Sequence, residues 1–208
     1  MMSIHDNTKE RIKTAAWEVF VEKGRDGARM QEIADRAGAN KAMIYYYFTS
    51  KDILFEEIIK DIFKQLISNV KLSVLKQDHK PEDIVRIMVD TYIDLLENHP
   101  YLARVMTREL LSENPIIKKI IKSLFETEGF DLPTEFVHII ILNSQSGAIR
   151  QVDPIQTILS FLGMCLFYFI AKPVIVDVWG MQQADEEKFI KKRKEAITDL
   201  ILHGLLPR

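Results

Sequence analysis

The sequence predicts an all-α protein, and three features carry that prediction. The 208 residues include only 8 glycines and 7 prolines, fewer than a chain of many short strands and tight turns would need. Apolar residues make up 47% of the chain, and along most of it they recur at the three- and four-residue spacing of helices that bury one face. Polar and proline-containing breaks divide these stretches into about nine helices, of which the first three are short.

The first three helices form a helix-turn-helix pattern. The first ends at Gly24, the second is closed by Gly38, and the third runs from about Asn40 to Phe48. Gly38 is suited to the turn between the second and third helices, where a left-handed backbone is often required. The first helix carries an apolar stripe made of Ile12, Ala16, Val19 and Phe20. Five apolar residues would pack the second helix on the third: Ile33, Ala34, Ala37, Ile44 and Phe48.

Further helices follow along the chain. Ser50 is predicted to be the N-cap of a long helix with a broad apolar face. Later helices begin near Pro81, near Leu102, after Asn114-Pro115 and at Asp153-Pro154, and the last one carries Phe189 and Ile197. The strongly apolar segment from Phe136 to Gly147 is ambiguous, because its β-branched run could also form a strand, although nothing nearby offers a partner.

Composition excludes several classes of protein. The single cysteine, Cys165, excludes an intrachain disulfide, and a reduced, cytoplasmic compartment is expected. The net charge of −2 gives no large basic field for nucleic acid or a membrane surface. The segment from Met1 to Lys13 has no apolar core and is not a signal peptide. The stretch from Pro154 to Ala171 is uncharged and almost long enough to cross a bilayer, but we interpret it as a helix buried on several faces.

Three consecutive tyrosines, Tyr45, Tyr46 and Tyr47, indicate a binding surface on the third helix. At about 100° per residue they point in three directions, so at least one must face solvent. A tyrosine hydroxyl facing outward can donate to a phosphate, and Lys41 at the start of this helix can reach a phosphate or a base edge. The residue types on this helix are therefore compatible with contact to DNA.

These residues resemble the DNA-binding domain of the TetR-type (tetracycline-repressor-like, TetR/AcrR) transcriptional regulators. The resemblance rests on Ile33-Ala34, Ala37-Gly38 and Lys41, and most specifically on the run Tyr45-x-x-Phe48-x-Ser50-Lys51-Asp52. It is dense from about Thr8 to Leu66. The rest of the chain resembles the family in its helix layout and in the Gly-x-x-Arg-x-x-Asp-Pro turn from Gly147 to Pro154.

The resemblance implies two domains and three partners. Residues 1–50 would be the helix-turn-helix DNA-binding domain, with its recognition region at about 29–48, and residues 51–208 would bind a ligand and dimerise. The last two helices would pair with those of a second copy, which would cover the uncharged helix. The expected partners are double-stranded DNA with an inverted-repeat operator, a small-molecule effector and the second copy of the chain. No cofactor, metal or membrane is expected.

Ten residues are candidate DNA contacts on the matching positions: Arg29, Gln31, Asn40, Lys41, Ala42, Met43, Tyr45, Tyr46, Tyr47 and Lys51. The family often has threonine or serine at the start of the second helix, whereas this chain has Ala28 and Arg29, so the capping oxygen is missing unless Asp26 supplies it. Arg29 offers a phosphate contact there instead. Met43 replaces a frequent threonine and suggests an apolar contact, such as one with a thymine methyl group.

Two of these candidates have a second interpretation. Asn40 could serve only as the N-cap of the third helix. Lys51 lies at the start of a helix, where the helix dipole does not favour a cation, and a neighbouring phosphate would remove that conflict.

The ligand pocket is the less specific part of the prediction. Six residues of the middle helices interrupt or decorate apolar faces and are candidates for its lining: Phe63, Met88, Tyr92, Met106, Ile140 and Asn143. Asn143 is the best polar candidate, because a buried amide needs hydrogen-bond partners that a ligand can supply. The apolar content of these helices suggests a hydrophobic or amphipathic effector.

The sequence thus predicts a cytoplasmic, homodimeric, ligand-responsive DNA-binding regulator, and specifically a repressor that the effector releases from a pseudo-palindromic operator. A helical ligand-binding module without specific DNA reading is the alternative. An enzyme ranks third, because the five histidines are scattered without metal-ligand spacing and Cys165 lies in an apolar run, where a thiol is usually inert.

Overall fold

The computed structural model describes residues 4–74, 80–112, 116–128, 132–180 and 186–207, and within these ranges the chain forms ten α-helices and no strand. The helices are α1 (Ile4–Gly27), α2 (Met30–Ala37), α3 (Lys41–Tyr47), α4 (Lys51–Val74), α5 (Pro81–Asn98), α6 (Leu102–Leu110), α7 (Ile117–Glu128), α8 (Leu132–Gln145), α9 (Pro154–Trp179) and α10 (Glu186–Leu205). The all-α prediction is confirmed, with one helix more than expected. The ambiguous segment after Phe136 belongs to helix α8, whereas the predicted helix start at Asn114-Pro115 lies outside the described residues.

Local sequence signals set the ends of the first helices. Gly38 adopts a left-handed conformation with φ of +60°, and its N–H donates to carbonyl groups of the last turn of α2, as expected for the turn. The side chain of Asn40 caps α3 by accepting a hydrogen bond of 2.7 Å from the N–H of Met43. Ser50 caps α4 in the same way, accepting from the N–H of Ile53 at 3.2 Å.

Helix α1 is interrupted at Gly24, where the sequence predicts its end. Gly24 has φ of +75° and ψ of 170°, and a further helical turn follows before Gly27. A Cβ atom added at Gly24 would lie 2.7 Å from Nη1 of Arg108. The position requires glycine for its backbone conformation, and the Arg108 side chain uses the space that the absent Cβ leaves.

The described residues separate into two compact units. The first unit comprises those within Met1–Lys64 and Arg104–Leu124, and the second comprises those within Gln65–Ala103 and Phe125–Arg208. In the first unit α1 packs on α2 and α2 on α3. Its core includes Phe20 and Phe55, whose rings meet edge to face with centroids 5.1 Å apart. All the residues predicted to form the helix-turn-helix core are buried: Ile12, Ala16, Val19, Phe20, Ile33, Ala34, Ala37, Ile44 and Phe48.

In the second unit α5, α9 and α10 pack on one another, and α8 packs on α9. Eight buried residues form this core: Val85, Val89, Ile93, Phe161, Cys165, Tyr168, Ile190 and Ile197. The turn between α8 and α9 is joined to the end of α10, because the N–H of Arg150 donates to the carbonyl of Leu205 at 2.8 Å. Asp153 caps α9 by accepting from the N–H of Gln156 at 2.9 Å.

Helix α9 contains the uncharged stretch. Its segment Pro154–Val178 is long and apolar enough to cross a membrane by length and composition, yet only 17% of its most apolar window is buried within the chain. The single chain therefore leaves much of this helix uncovered, and its predicted burial on several faces depends on the expected second copy. The exposed side is a continuous apolar stripe along the helix: Ile155, Leu159, Phe167, Ile170, Val174 and Val178.

Candidate nucleic-acid interface and ligand cavity

Helix α3 is held so that one of its faces is available to a partner. Ile44 on this helix and Phe48 directly after it are fully buried, and they fix the helix to the core of the first unit. The opposite face carries exposed residues from Lys41 to Met43 together with Tyr45 and Tyr46. The structure thus brings most of the candidate DNA contacts onto one accessible surface, which we call the α3 face: Asn40, Lys41, Ala42, Met43, Tyr45 and Tyr46.

The tyrosines of this helix differ in environment. Tyr46 is the most accessible, at 77% exposure, and the edge of its ring meets Tyr47, with centroids 5.2 Å apart. Tyr47 is half-buried. The ring of Tyr45 lies beneath the ammonium group of Lys41, whose Nζ is 5.9 Å from the ring centroid, a cation–π arrangement. A phenol and an ammonium are therefore presented side by side, a pair suited to a phosphate or an acceptor-rich base edge.

The candidates on α2 have different local roles. Arg29 is exposed at the N-cap of α2 and makes no capping hydrogen bond, so the missing cap expected from the sequence is confirmed. Gln31 is exposed, and its amide donates to the carboxylate of Asp35 at 2.8 Å, one turn along the helix. Arg29 remains available for a phosphate, whereas Gln31 has an internal partner.

Lys51 has protein partners at the start of α4. Its ammonium group donates to the carbonyls of Asp26 and Ala28 at 3.0 and 3.1 Å. These two carbonyls offset the unfavourable position of a cation at a helix start. A phosphate is therefore not required to explain the residue, and its contact with DNA stays a prediction.

Most cations of the first 53 residues are neutralised within the first unit. Arg36 pairs with Glu22 at 2.6 Å, an interaction that lowers the pKa of the Glu22 carboxyl and raises that of the guanidinium. Lys23 pairs with Glu32 at 2.7 Å. Lys9, Lys13 and Arg25 also have carboxylate partners. The remaining four have no carboxylate within 4.0 Å in the described part of the chain: Arg11, Arg29, Lys41 and Lys51.

Two interactions in this unit escaped the sequence analysis. The guanidinium of Arg11 donates to the carbonyls of Ala37 and Gly38 at 2.8 and 3.1 Å and so supports the turn before α3. Arg25 forms a buried ion pair with Glu109 on α6 at 3.0 Å and also pairs with Asp52 at 3.0 Å. Arg25 and Glu109 are 84 residues apart, and no local pattern indicates that they meet.

The second unit contains an apolar cavity between α5, α8, α9 and α10. The centre of a water-sized sphere can occupy about 60 Å³ of it. Its lining includes Met88, Ile140 and Asn143, three of the six predicted pocket residues, together with Phe136 and Phe161. No charged side chain is among the lining residues.

The other three predicted pocket residues lie elsewhere. Tyr92 packs on the core of the second unit, with its ring centroid 5.8 Å from that of Phe161, and it does not line the cavity. Phe63 and Met106 belong to the first unit and are half-buried there. The helical spacing of apolar residues therefore did not distinguish residues of this cavity from residues of either core.

Asn143 is not an unsatisfied amide. Its Nδ2 donates to the carbonyl of Ile139, one turn earlier in α8, at 2.8 Å. This bond identifies the nitrogen of the amide, and it supplies within the protein the hydrogen-bond partner that the sequence analysis assigns to a ligand. The cavity is consequently suited to the apolar part of a small molecule.

The thiol and phenol groups in the core of the second unit are neutral and contribute to packing. Burial raises the pKa of the Cys165 thiol to about 12 and that of the Tyr92 hydroxyl to about 12, so neither ionises near neutral pH. In the described residues, no three side chains among histidine, cysteine, aspartate and glutamate are grouped as a metal site would need.

Comparison with known proteins agrees with this arrangement. Residues 12–58 match the model for bacterial regulatory proteins of the tetR family, and residues 59–208 match the model for the C-terminal region of YcdC-like proteins. The transcriptional regulator RutR of Escherichia coli O157:H7 is 25% identical over 204 residues, which are 96% of this chain and 91% of RutR. The transcriptional repressor NicS of Pseudomonas putida is 31% identical over 111 residues, 52% of this chain and 50% of NicS.

A solved structure shares the whole fold. The protein SCO4942 of Streptomyces coelicolor superposes with a TM-score of 0.72 at 21% identity, covering 95% of this chain and 98% of that protein. The two family models together span the chain from residue 12 to its end, and the first of them includes the α3 face. This chain therefore belongs to the tetR family of bacterial regulatory proteins, the ligand-responsive, helix-turn-helix regulators of transcription.

Proposed function

We propose that this protein is a cytoplasmic homodimeric repressor that binds an inverted-repeat operator through the α3 face and leaves it when a small apolar or amphipathic molecule binds the second unit. The observation that carries the proposal is the α3 face itself. Its cation lacks a carboxylate partner within the described chain, while most of the surrounding cations are paired. The repressor named NicS among the relatives supports this direction of regulation.

The proposed DNA contacts divide into two groups. Lys41, Ala42 and Met43 would face base edges in the major groove, and Tyr45 and Tyr46 would contact phosphates. Arg29 would add a phosphate contact from α2. Gln31, Tyr47 and Lys51 have internal contacts, so we assign them supporting positions at the edge of the interface.

The exposed stripe of α9 supports the homodimer. Gly163 lies between Leu159 and Phe167 in this stripe, and a Cβ atom added there would meet nothing within 4 Å in the described chain. A second copy could approach closely at this point and cover the apolar side chains, with α10 completing the interface. Two-fold symmetry would then place two α3 helices in successive major grooves, about 34 Å apart.

The cavity supports release by a ligand. The volume of about 60 Å³ that is open to the centre of a water-sized sphere has room for a few water molecules, so a larger ligand would move the cavity walls apart. Such a movement changes how the four helices that surround the cavity, α5, α8, α9 and α10, pack on one another. Ligand and operator affinities would be reciprocally coupled, typically by about 1–3 kcal/mol. We propose no reaction, because relatives that match along the chain are regulators of transcription.

Selection of duplexes from a random pool at about 150 mM salt tests the DNA part of this proposal. We expect an enriched inverted repeat, and we expect Lys41→Ala and Tyr45→Ala to weaken binding to it. Lys80→Ala is the matched control, because Lys80 is exposed but belongs to the second unit. Absence of any enriched repeat would instead favour a ligand-binding module without specific reading. An effector that saturates the protein without changing operator affinity would contradict the release mechanism.

A further inference from the structure

The outward side of the first turn of α3 presents hydrogen-bond donors and apolar surface. Oδ1 of Asn40 is held towards this turn, where it accepts the N–H of Met43 at 2.7 Å, so the amide cannot present its oxygen and its nitrogen together to one base. Lys41 contributes an ammonium group, which only donates. Ala42 and Met43 are exposed, the latter at 37%, and contribute only apolar atoms apart from the weakly accepting sulfur.

The bases of DNA differ in what they require from such a surface. In the major groove guanine presents two acceptors, O6 and N7, and thymine presents the O4 acceptor and a methyl group. Cytosine presents a donor, and asparagine normally reads adenine by accepting from N6 while donating to N7. The capping bond holds the Asn40 oxygen towards the helix, so the two-point contact that adenine needs is not available. Guanine and thymine therefore match the surface, and cytosine does not.

From this placement we propose that α3 reads guanine next to thymine in each half-site, with Lys41 on O6 and N7 of the guanine and Ala42 and Met43 on the thymine methyl group. This inference rests on the proposed function and specifies its substrate. Tyr45 and Tyr46 lie further along the helix, where the proposed function assigns them to phosphates. Specificity would thus depend on a methyl group, which makes no hydrogen bond, as well as on the two acceptors of guanine.

Replacement of thymine by deoxyuridine tests the inference directly, because it removes the methyl group and leaves every hydrogen-bonding group in place. In the operator obtained by selection, we expect deoxyuridine at the α3-contacted thymine to weaken binding about fourfold per methyl group removed, and about fifteenfold when both half-sites are changed. Deoxyuridine in the spacer between the half-sites is the matched control and should leave affinity unchanged. Fluorescence anisotropy at fixed salt measures both.

The variant Met43→Ala locates the effect on the protein. It should bind the thymine operator more weakly than the native chain and should lose at least half of the discrimination between thymine and deoxyuridine. Because Met43 is exposed, the melting temperature of the variant should stay close to that of the native protein. Circular dichroism measures it. In parallel, 7-deazaguanine should weaken binding of the native chain and have little further effect on Lys41→Ala, which has no side-chain donor.

The outcomes separate the inference from the function on which it rests. If selection enriches no repeat, the proposed function fails. If it enriches a repeat whose half-sites lack a guanine–thymine step, or whose affinity is insensitive to deoxyuridine, the operator stands and the methyl-reading inference is overturned.

Discussion

The two units of this chain leave different kinds of surface uncovered. In the first unit, ion pairs join helices: Arg25 reaches both Asp52 and Glu109, and Glu56 reaches both Lys60 and Lys119. In the second unit, ion pairs also join helices, that of Lys194 with Asp94 among them. The 26-residue helix α9 of this unit nevertheless carries an exposed apolar stripe, and only two of its residues are charged, Lys172 and Asp177.

The comparison shows how an uncovered surface indicates its partner. In the first unit most cations are paired with carboxylates, and the few that are not can bind an external anion. Lys41 is one of these few. Where apolar side chains stay exposed along a whole helix, the fitting partner is another apolar surface. The predictions below test each half of this contrast, beginning with the largest expected effect.

Phe167→Glu tests the apolar half. Phe167 is 64% exposed in the single chain, and each dimer would bury two copies of it. Losing both burials should weaken dimerisation by about 3–6 kcal/mol, more than a hundredfold in Kd. Sedimentation velocity over a range of concentrations measures the shift. Leu111→Glu is the control, since Leu111 is 82% exposed in the first unit and should leave the dimer intact. A Phe167→Glu protein that stays dimeric would remove α9 from the interface.

Glu109→Gln tests the charged half. The side chains of Arg25 and Glu109 are only 10% and 4% exposed, and the change leaves a buried guanidinium with Asp52 as its closest remaining counter-charge. We expect the free energy of unfolding to fall by about 3 kcal/mol, at the low end for breaking a buried pair. Urea denaturation followed by circular dichroism measures this.

A double variant sharpens the result. Arg25→Met with Glu109→Leu should recover most of the loss, because two apolar side chains leave no buried charge without a partner. If the Glu109→Gln protein has the same midpoint of urea denaturation as the native protein, the ion pair does not stabilise the first unit.

Asn40→Ala separates capping from DNA contact. Losing the bond to the N–H of Met43 should lower stability by about 1 kcal/mol. Asn40→Ser restores a capping oxygen and should recover stability. Thermal melting measures this part, and operator affinity of the serine variant then reports on the amide N–H groups alone. Equal stability of the alanine and native proteins would show that the cap contributes nothing.

Glu56 provides the smallest expected effect, a dependence on pH. Its pKa lies below the ordinary 4.5, because it accepts a hydrogen bond from Lys60 and another from Lys119. A carboxyl with a depressed pKa contributes stability that is present above the unfolded pKa and is lost as pH falls through the folded value. Between pH 5 and pH 3, roughly, the native chain should therefore lose up to about 1 kcal/mol more than Glu56→Gln. Parallel curves for the two proteins would contradict the shift.

Short-range signals made most of the fold predictable. Gly38, Asn40 and Ser50 each act within about one turn of the chain, and the helix ends they predicted are present. The apolar residues of the helix-turn-helix were likewise predictable, because helical spacing alone decides which of them share a face.

Long-range contacts limited the rest. The acceptors of the Lys51 ammonium lie 23 and 25 residues earlier in the chain, so the sequence left a phosphate as the simplest partner. Three of the predicted pocket residues line one cavity: Met88, Ile140 and Asn143. Phe63 and Met106 occupy similar positions on the apolar faces of helices but belong to the other unit. The uncharged run of α9 indicated that this helix is shielded from water. A sequence pattern does not show whether the same chain or another molecule packs against the helix.

The break at Gly24 has a consequence for the response of this gene to random mutation. Every amino-acid substitution at this position adds a Cβ atom to a backbone with positive φ and places it against the Arg108 side chain. The backbone penalty applies whatever residue is introduced, whereas the flexible Arg108 side chain can move aside. In a library of single substitutions selected for operator binding, position 24 should therefore be nearly monomorphic, while the exposed neighbour Asp26 tolerates variety. A glycine between two helical segments thus constrains the evolutionary freedom of the protein more than many of its exposed charged residues do.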